Sequence, residues 1–177
     1  MSSEDKAWVR IATPLSNKQL HEFCSDLERL YRINPLLEFI EWRQIDTNTY
    51  HIHFKNLSNN QEINTTISVE GLKINYESGI KKATILKIEA NALIITDDYS
   101  GSSEADLAEV DKSLIPWGNA IYKYLQSWQR WKWFPLYRWY MCRVWQTMKP
   151  SARRIAYMLI VISCFEILAM CVFLMFH

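Results

Sequence analysis

From Ile155 to Phe176 the chain reads IAYMLIVISCFEILAMCVFLMF, 22 residues of which only Ser163 and Glu166 are clearly polar. A helix of that length reaches about 33 Å at about 1.5 Å per residue, enough to cross a hydrocarbon core of about 30 Å. Core helices of soluble domains are usually shorter and seldom apolar all round, so the segment reads as a transmembrane helix. The opening residues MSSEDKAWVR lack the apolar stretch of a signal peptide. The expectation is therefore a C-terminal anchor, with His177 just beyond it. Lys149, Arg153 and Arg154 flank its start, and the positive-inside rule then leaves the N-terminal domain in the cytoplasm. Cysteine usage agrees with that compartment: Cys24 and Cys142 lie far apart, Cys164 and Cys171 fall within the anchor, and no disulfide or metal spacing emerges. The glycosylation sequons at Asn56 and Asn64 are expected to be unused.

The segment before the anchor is as unusual. Residues 117–154 hold six of the eight tryptophans and eight Lys or Arg, with no acidic residue. Residues 1–116 carry 12 basic and 18 acidic residues, so the formal net charge of +1 conceals an acidic first part and a basic second one. Such asymmetry points to an anionic surface, membrane or nucleic acid. A tethered anchor makes lipid the nearer anion. Past Pro135, Arg138, Trp139, Tyr140, Arg143 and Trp145 precede the flanking Lys149, Arg153 and Arg154. Amphipathic rings settle at headgroup level while cations meet lipid phosphates, so this stretch is expected to lie along the interface. Nucleic acid is not an expected partner.

The first 133 residues have the pattern of a folded domain. AWVRIAT (7–13) reads as a strand, and a helix follows from about Leu15 to Arg32. Ser16 and Gln19 form a capping box, and Leu20, Phe23, Leu27 and Leu30 recur at helical spacing. Pro35 closes this region. After a less regular strand over 37–45, Tyr50, Ile52 and Phe54 alternate with His51, His53 and Lys55. Ile63, Ile67 and Val69 repeat the pattern, then Leu72, Ile74 and Tyr76, then Thr84, Leu86 and Ile88, then Leu93 and Ile95. Turn signals SNN, EG, ESG and EAN separate these runs. Connections so short make the strands mostly antiparallel. An acidic linker, SGSSEADLAEVDKS, leads to a helix with Trp117, Ile121, Tyr124, Leu125, Trp128 and Trp131 on one stripe. A sheet with one polar face must bury the other, and this helix is its cover.

The order strand, helix, six strands, long helix resembles the START-like helix-grip superfamily of polyketide cyclases, aromatases and lipid-transfer domains. DLERLYRINPLLEFIEW, leading from helix to second strand, and the last helix opening at WGNAIYKYL also carry the resemblance, which covers roughly residues 6–133. It implies an α+β fold with about seven antiparallel strands wrapped on the last helix. It also implies an apolar cavity between sheet and helix, and a hydrophobic ligand. The expected organisation is a helix-grip domain over 1–133, an aromatic and basic interfacial segment over 134–154, and a transmembrane helix over 155–176. The extension and anchor depart from the usual soluble cyclase.

Four constellations bear on chemistry. His51 and His53 share a strand face as a metal pair would, but nothing supplies a convincing third ligand, and a polar outer face is the expectation. Asp97, Asp98 and Tyr99 offer a carboxylate and a phenol near a strand end, where such groups are ordinarily solvated. The stripe on the last helix either fills the core or lines a ligand cavity with a tyrosine hydroxyl or indole N–H as its polar handle. The residues alone lean to core filling; the resemblance adds weight to the cavity, for which Trp117, Ile121, Tyr124 and Trp128 are the candidate ligand-binding residues. Glu166, twelfth of the 22 apolar residues, stands near mid-bilayer, where a carboxylate costs about 2.5–3.5 kcal/mol by insertion scales. Glu166 either faces lipid as a protonated acid or, the leading expectation, makes a polar contact with another transmembrane helix, from a second copy or a larger complex.

No nucleophile motif, phosphate loop or zinc signature occurs, and only four glycines are present. The leading expectation is a single-pass membrane protein whose domain binds a lipid or other hydrophobic molecule and presents it at the bilayer, without cofactor or metal. An accessory subunit or assembly factor of a membrane complex is the alternative, and a cyclase-like enzyme the third.

Overall fold

The computed structural model describes residues 6–102 and 113–176. Seven strands form one antiparallel sheet: β1 (Lys6–Ala12), β2 (Leu37–Asp46), β3 (Thr49–Asn56), β4 (Glu62–Glu70), β5 (Lys73–Tyr76), β6 (Ala83–Glu89) and β7 (Ala92–Asp98). Their order across the sheet is β1-β7-β6-β5-β4-β3-β2. Five successive hairpins connect β2 through β7, and β1 closes the series by pairing with β7 from Lys6↔Asp98 to Ala12↔Ala92. The turn signals act where the backbone needs them. Asn60, Gly71 and Asn91 all take positive φ in these turns, a conformation that Gly and Asn adopt with least strain.

Alternation selects the buried face. Ile52 and Phe54 of β3, Thr65 and Ile67 of β4, Ile74 of β5, Leu86 of β6, and Leu93 and Ile95 of β7 are all buried. β2 is irregular, as its sequence anticipates: its register against β3 shifts between Phe39 and Glu41 and again between Gln44 and Asp46. Such bulges bend an edge strand.

The single helix expected over 15–32 is two. α1 (Asn17–Ser25) opens with the Ser16–Gln19 capping box, and α2 (Leu27–Arg32) starts afresh after Asp26. Asp26 leaves helical geometry at φ −87°, ψ 81°, and its carboxylate accepts from the Arg29 N–H at 3.2 Å. An aspartate competes well for a free N–H group, and here it caps a new helix instead of continuing the old one.

α3 (Leu114–Trp131) covers the buried face, with Trp117, Gly118, Ile121, Tyr124 and Leu125 against the sheet and the α1–α2 pair. Gly118 permits the approach to β1: a Cβ there would stand 2.9 Å from Val9 Cγ2. The stripe expected to run to Trp131 ends sooner, since Trp131 is 46% exposed. A seven-stranded antiparallel sheet gripping a long helix is an α+β arrangement that fits a helix-grip fold.

Beyond α3 the chain turns back. α4 (Pro135–Trp139) runs into a π-helical turn (Tyr140–Trp145), and α5 (Pro150–Phe176) follows. Pro150, a residue suited to a first helical turn, starts α5 five residues before its apolar stretch. α5 is long and apolar enough to cross a membrane, and every side chain from Tyr157 to Met175 is exposed. The acidic linker lies outside the described residues from 103 to 112, as does His177.

Candidate functional site

β7 directs Leu93, Ile95 and Asp97 to the same side, and Asp97 is only 1% exposed. A carboxylate buried so deeply needs partners. Its neighbour across the β6–β7 register is Thr84, whose hydroxyl donates to Asp97 Oδ1 at 2.5 Å. Tyr99 donates to Oδ2 at 3.4 Å, and Lys81 Nζ stands 2.8 Å from that oxygen. Asp98, of opposite parity, is half-buried and faces Lys6 across 3.8 Å. The expectation of solvated carboxylates therefore fails for Asp97, because strand parity turns it inward.

The chain of hydroxyls continues. Tyr76 on β5 lies 3.2 Å from Thr84 Oγ1, and Tyr31 on α2 makes a short contact with the Tyr76 hydroxyl. Each hydroxyl has one proton to donate. Thr84 gives its proton to Asp97, so it accepts from Tyr76, and Tyr76 in turn accepts from Tyr31. The dipoles thus run one way, from Tyr31 towards the carboxylate. Burial raises both phenols well above their ordinary pKa, and the nearby Asp97 charge adds to the effect at Tyr76. Both stay protonated, as donors must.

This chain borders a cavity of about 150 Å³, the size of an engineered apolar cavity that takes up benzene. Its lining combines the apolar Leu37, Phe54, Ile63 and Ile80 with the polar groups of Tyr31, Tyr76, Lys81, Tyr99, Asn56 and Ser78. Asn59 and Gln61 from the β3–β4 turn stand at its margin with Gly79. The arrangement suits a small molecule with an apolar body and one polar head.

None of the four ligand-binding candidates lines this cavity. Trp117 and Ile121 fill the core, and the Trp117 indole donates to Leu30 O at 2.9 Å. Tyr124 accepts from Arg29 Nε at 2.9 Å. The Arg29 guanidinium also sits 5.3, 5.1 and 4.8 Å from the ring centres of Phe23, Tyr124 and Trp128. The polar handles expected for a ligand are thus engaged within the domain. Tyr31, Tyr76 and Lys81 do not stand out as site residues in the sequence, whereas Tyr99 does, as the phenol beside Asp97. Tyr76 has one legible signal, its inward parity with Leu72 and Ile74.

A second hollow lies between α3, the π-helical turn and the first turns of α5. It measures about 390 Å³ and includes Tyr124, Tyr140, Met141, Trp145, Tyr157 and Ile160. The π turn buries Met141 and sets the Trp145 ring 5.5 Å from that of Tyr124, tilted by 39°. Ser127 and Tyr137 hydroxyls join α3 to α4 at 2.8 Å.

The interfacial candidates divide into two groups. Arg138, Trp139, Arg143 and Arg154 are exposed, beside Trp133 at 71% and Leu136 at 62%. Tyr140 and Trp145 pack on the domain, and Lys149 pairs with Glu38 at 2.7 Å. Arg153 is half-buried over the Trp145 ring at 4.1 Å. It donates to the carbonyls of Trp145 at 2.9 Å, Gln146 at 3.1 Å and Arg32, which ties the root of α5 to the end of α2. Glu166 is exposed midway along α5. His51 and His53 lie on the outer sheet face; His53 is 3.7 Å from Glu62, and His51 Nδ1 is buried without a hydrogen bond.

No protein-family model matches the chain, and no curated protein matches it. Among solved structures it is similar to Chr148 from Cytophaga hutchinsonii at 12% identity, covering 71% of this chain and 92% of that one, with a TM-score of 0.42. It is also similar to a Thermus thermophilus protein, TTHA0849, at 12% identity, with 66% and 94% covered and a TM-score of 0.44. DR_A0006 from Deinococcus radiodurans shares 11% identity over 66% and 95%, with a TM-score of 0.37.

Proposed function

We propose that the chain is a membrane-anchored, cytoplasm-facing module of START-like type that binds a small hydrophobic molecule with one polar group and presents it at the bilayer. The observation that carries this reading is the cavity of about 150 Å³, lined largely by apolar side chains and bordered by Tyr31 and Tyr76, whose hydroxyls lead through Thr84 to Asp97. The phenol protons of Tyr31 and Tyr76 are already directed along the chain, so a ligand head would meet hydroxyl lone pairs and the edge of the Lys81–Asp97 pair. A neutral compound with a hydroxyl to donate fits there better than an anion, because Asp97 stands behind the phenols. Binding here requires no covalent step. α5 supplies the anchor, and the exposed Trp133, Leu136 and Trp139 with Arg138 supply the interfacial contact.

The test is extraction of the full-length protein in mild detergent followed by mass spectrometry of bound small molecules. The wild type should retain one apolar molecule per chain, and Ile63→Trp, which fills the cavity from its wall, should lose it. Ligand-free wild-type protein that also fails to bind an apolar fluorescent probe would overturn the reading.

A second reading, docking to another membrane subunit, is favoured by α5 itself. Its side chains from Tyr157 to Met175 are exposed, Glu166 included, so within a bilayer that carboxyl group can meet only lipid or another helix.

A further inference from the structure

We infer that the hollow between α3, the π-helical turn and α5 is a binding groove for an acidic phospholipid of the surrounding membrane, distinct from the cavity under the sheet. The inference rests on α5 spanning the bilayer, as proposed above. Two observations identify the occupant. First, one wall is made of Tyr157 and Ile160, residues of the apolar helix itself. A groove continuous with that helix opens to acyl chains, and its other walls, Tyr140, Met141 and Trp145, are apolar or amphipathic. Its volume of about 390 Å³ lies within the range of about 300–1,000 Å³ found for small-molecule clefts.

Second, the charged groups lining it are Lys123 and Arg153, with no carboxylate among the described lining residues. Arg153 gives its N–H groups to three carbonyls. Those bonds fix its position without neutralising it, since a guanidinium keeps its proton. Lys123 is exposed on α3 and has no ion pair among the described residues. A groove that combines aromatic and apolar side chains with two cations and, among the described residues, no carboxylate matches an acyl chain with a negatively charged headgroup. Tyr124 takes part from the other side. The ring expected to face a ligand under the sheet belongs instead to the wall of this groove, and a lipid seated there would pack α5 more firmly against α3.

The experiment uses full-length protein in phosphatidylcholine nanodiscs containing phosphatidylglycerol with a photoreactive acyl chain. After irradiation, adducts are located by peptide mass spectrometry. The expected result is labelling at Tyr140–Trp145 and at Tyr124 in addition to α5. Ile160→Trp, which fills the groove from an exposed helix position, should reduce the groove adducts several-fold and leave those beyond Ile162 unchanged. Lys123→Glu should weaken groove labelling by phosphatidylglycerol but not by photoreactive phosphatidylcholine. Adducts confined to α5 would overturn the groove while sustaining the spanning helix. Absence of label from α5 as well would overturn the membrane reading and the groove together. Equal groove labelling of wild type and Ile160→Trp, or equal capture of both lipids, would also reject the proposal.

Discussion

Asp97 shows what one inward position can require of its surroundings. Its carboxylate is reached by Lys81 and Thr84, from the turn before β6 and the start of that strand, and by Tyr99 two residues further along its own strand end. Removing one member of a buried ion pair costs about 3–5 kcal/mol, because the other charge stays unpaired. Asp97→Asn should therefore destabilise the domain towards the lower end of that range, since Lys81 is 19% exposed and retains some access to water. Asp97→Asn combined with Lys81→Met should recover part of the loss, as no lone charge remains. Denaturant unfolding of the two variants checks this: a double variant no more stable than the single one would show that the pair is not the source. Thr84→Val tests the chain rather than the charge, because it strands the Tyr76 proton, at a cost of about 1–3 kcal/mol.

Among the elements, α3 depends on closeness to β1, and α5 on its tie to α2. A methyl group at Gly118 would press into Val9 at 2.9 and 3.2 Å. Val9 is β-branched and half-buried, so it can swing aside little. Gly118→Ala gains about 1 kcal/mol of helix propensity but overpacks the helix–sheet contact by about 1–3 kcal/mol. The expected net effect is destabilisation, relieved when Val9→Ala accompanies it. Gly118→Ala alone more stable than wild type in thermal unfolding would show that the helix can move away. Two cations counted from sequence as lipid-facing carry intramolecular bonds instead: Lys149 pairs with Glu38 of β2, and Arg153 makes the tie between α5 and α2. Carbonyls near a helix end have acceptor capacity left over, and a guanidinium with donors in a fixed fork satisfies several at once.

For the whole molecule, the proposed attachment to a membrane runs through α5. Truncation after Arg154 keeps the Arg153 clamp but removes the apolar stretch. The resulting protein should leave the membrane in alkaline carbonate, with residual peripheral binding that weakens with salt because Arg138 and Arg143 remain exposed. Resistance to carbonate would mean that another segment holds the chain. Glu166 separates a lone anchor from a docked one. Glu166→Leu should leave insertion intact and reduce co-purification of a membrane partner, and the loss is expected to be partial because membrane hydrogen bonds average about 0.6 kcal/mol. Wild-type protein that stays monomeric and uncrosslinked in native membranes would reject docking.

Features that depend on near neighbours can be read without a fold. Strand parity, the Ser16–Gln19 box, the turns at Asn60, Gly71 and Asn91, and the apolar length of α5 are all set within a few residues. The break at Asp26 is not legible in this way, because a cap and a mid-helix aspartate differ only in backbone angle. Space and charge, by contrast, collect where distant segments meet. Tyr31 meets Tyr76 across 45 residues, Trp117 meets Leu30 across 87, and Arg153 meets Arg32 across 121. Whether an aromatic stripe fills a core or borders a hollow depends on the volume of side chains brought opposite it. α1 and α2 supply the bulk around Trp117, whose ring lies 5.2 Å from Tyr31, while the cavity on the far side of Tyr31 is bordered by the β3–β4 and β5–β6 turns at Asn59 and Gly79.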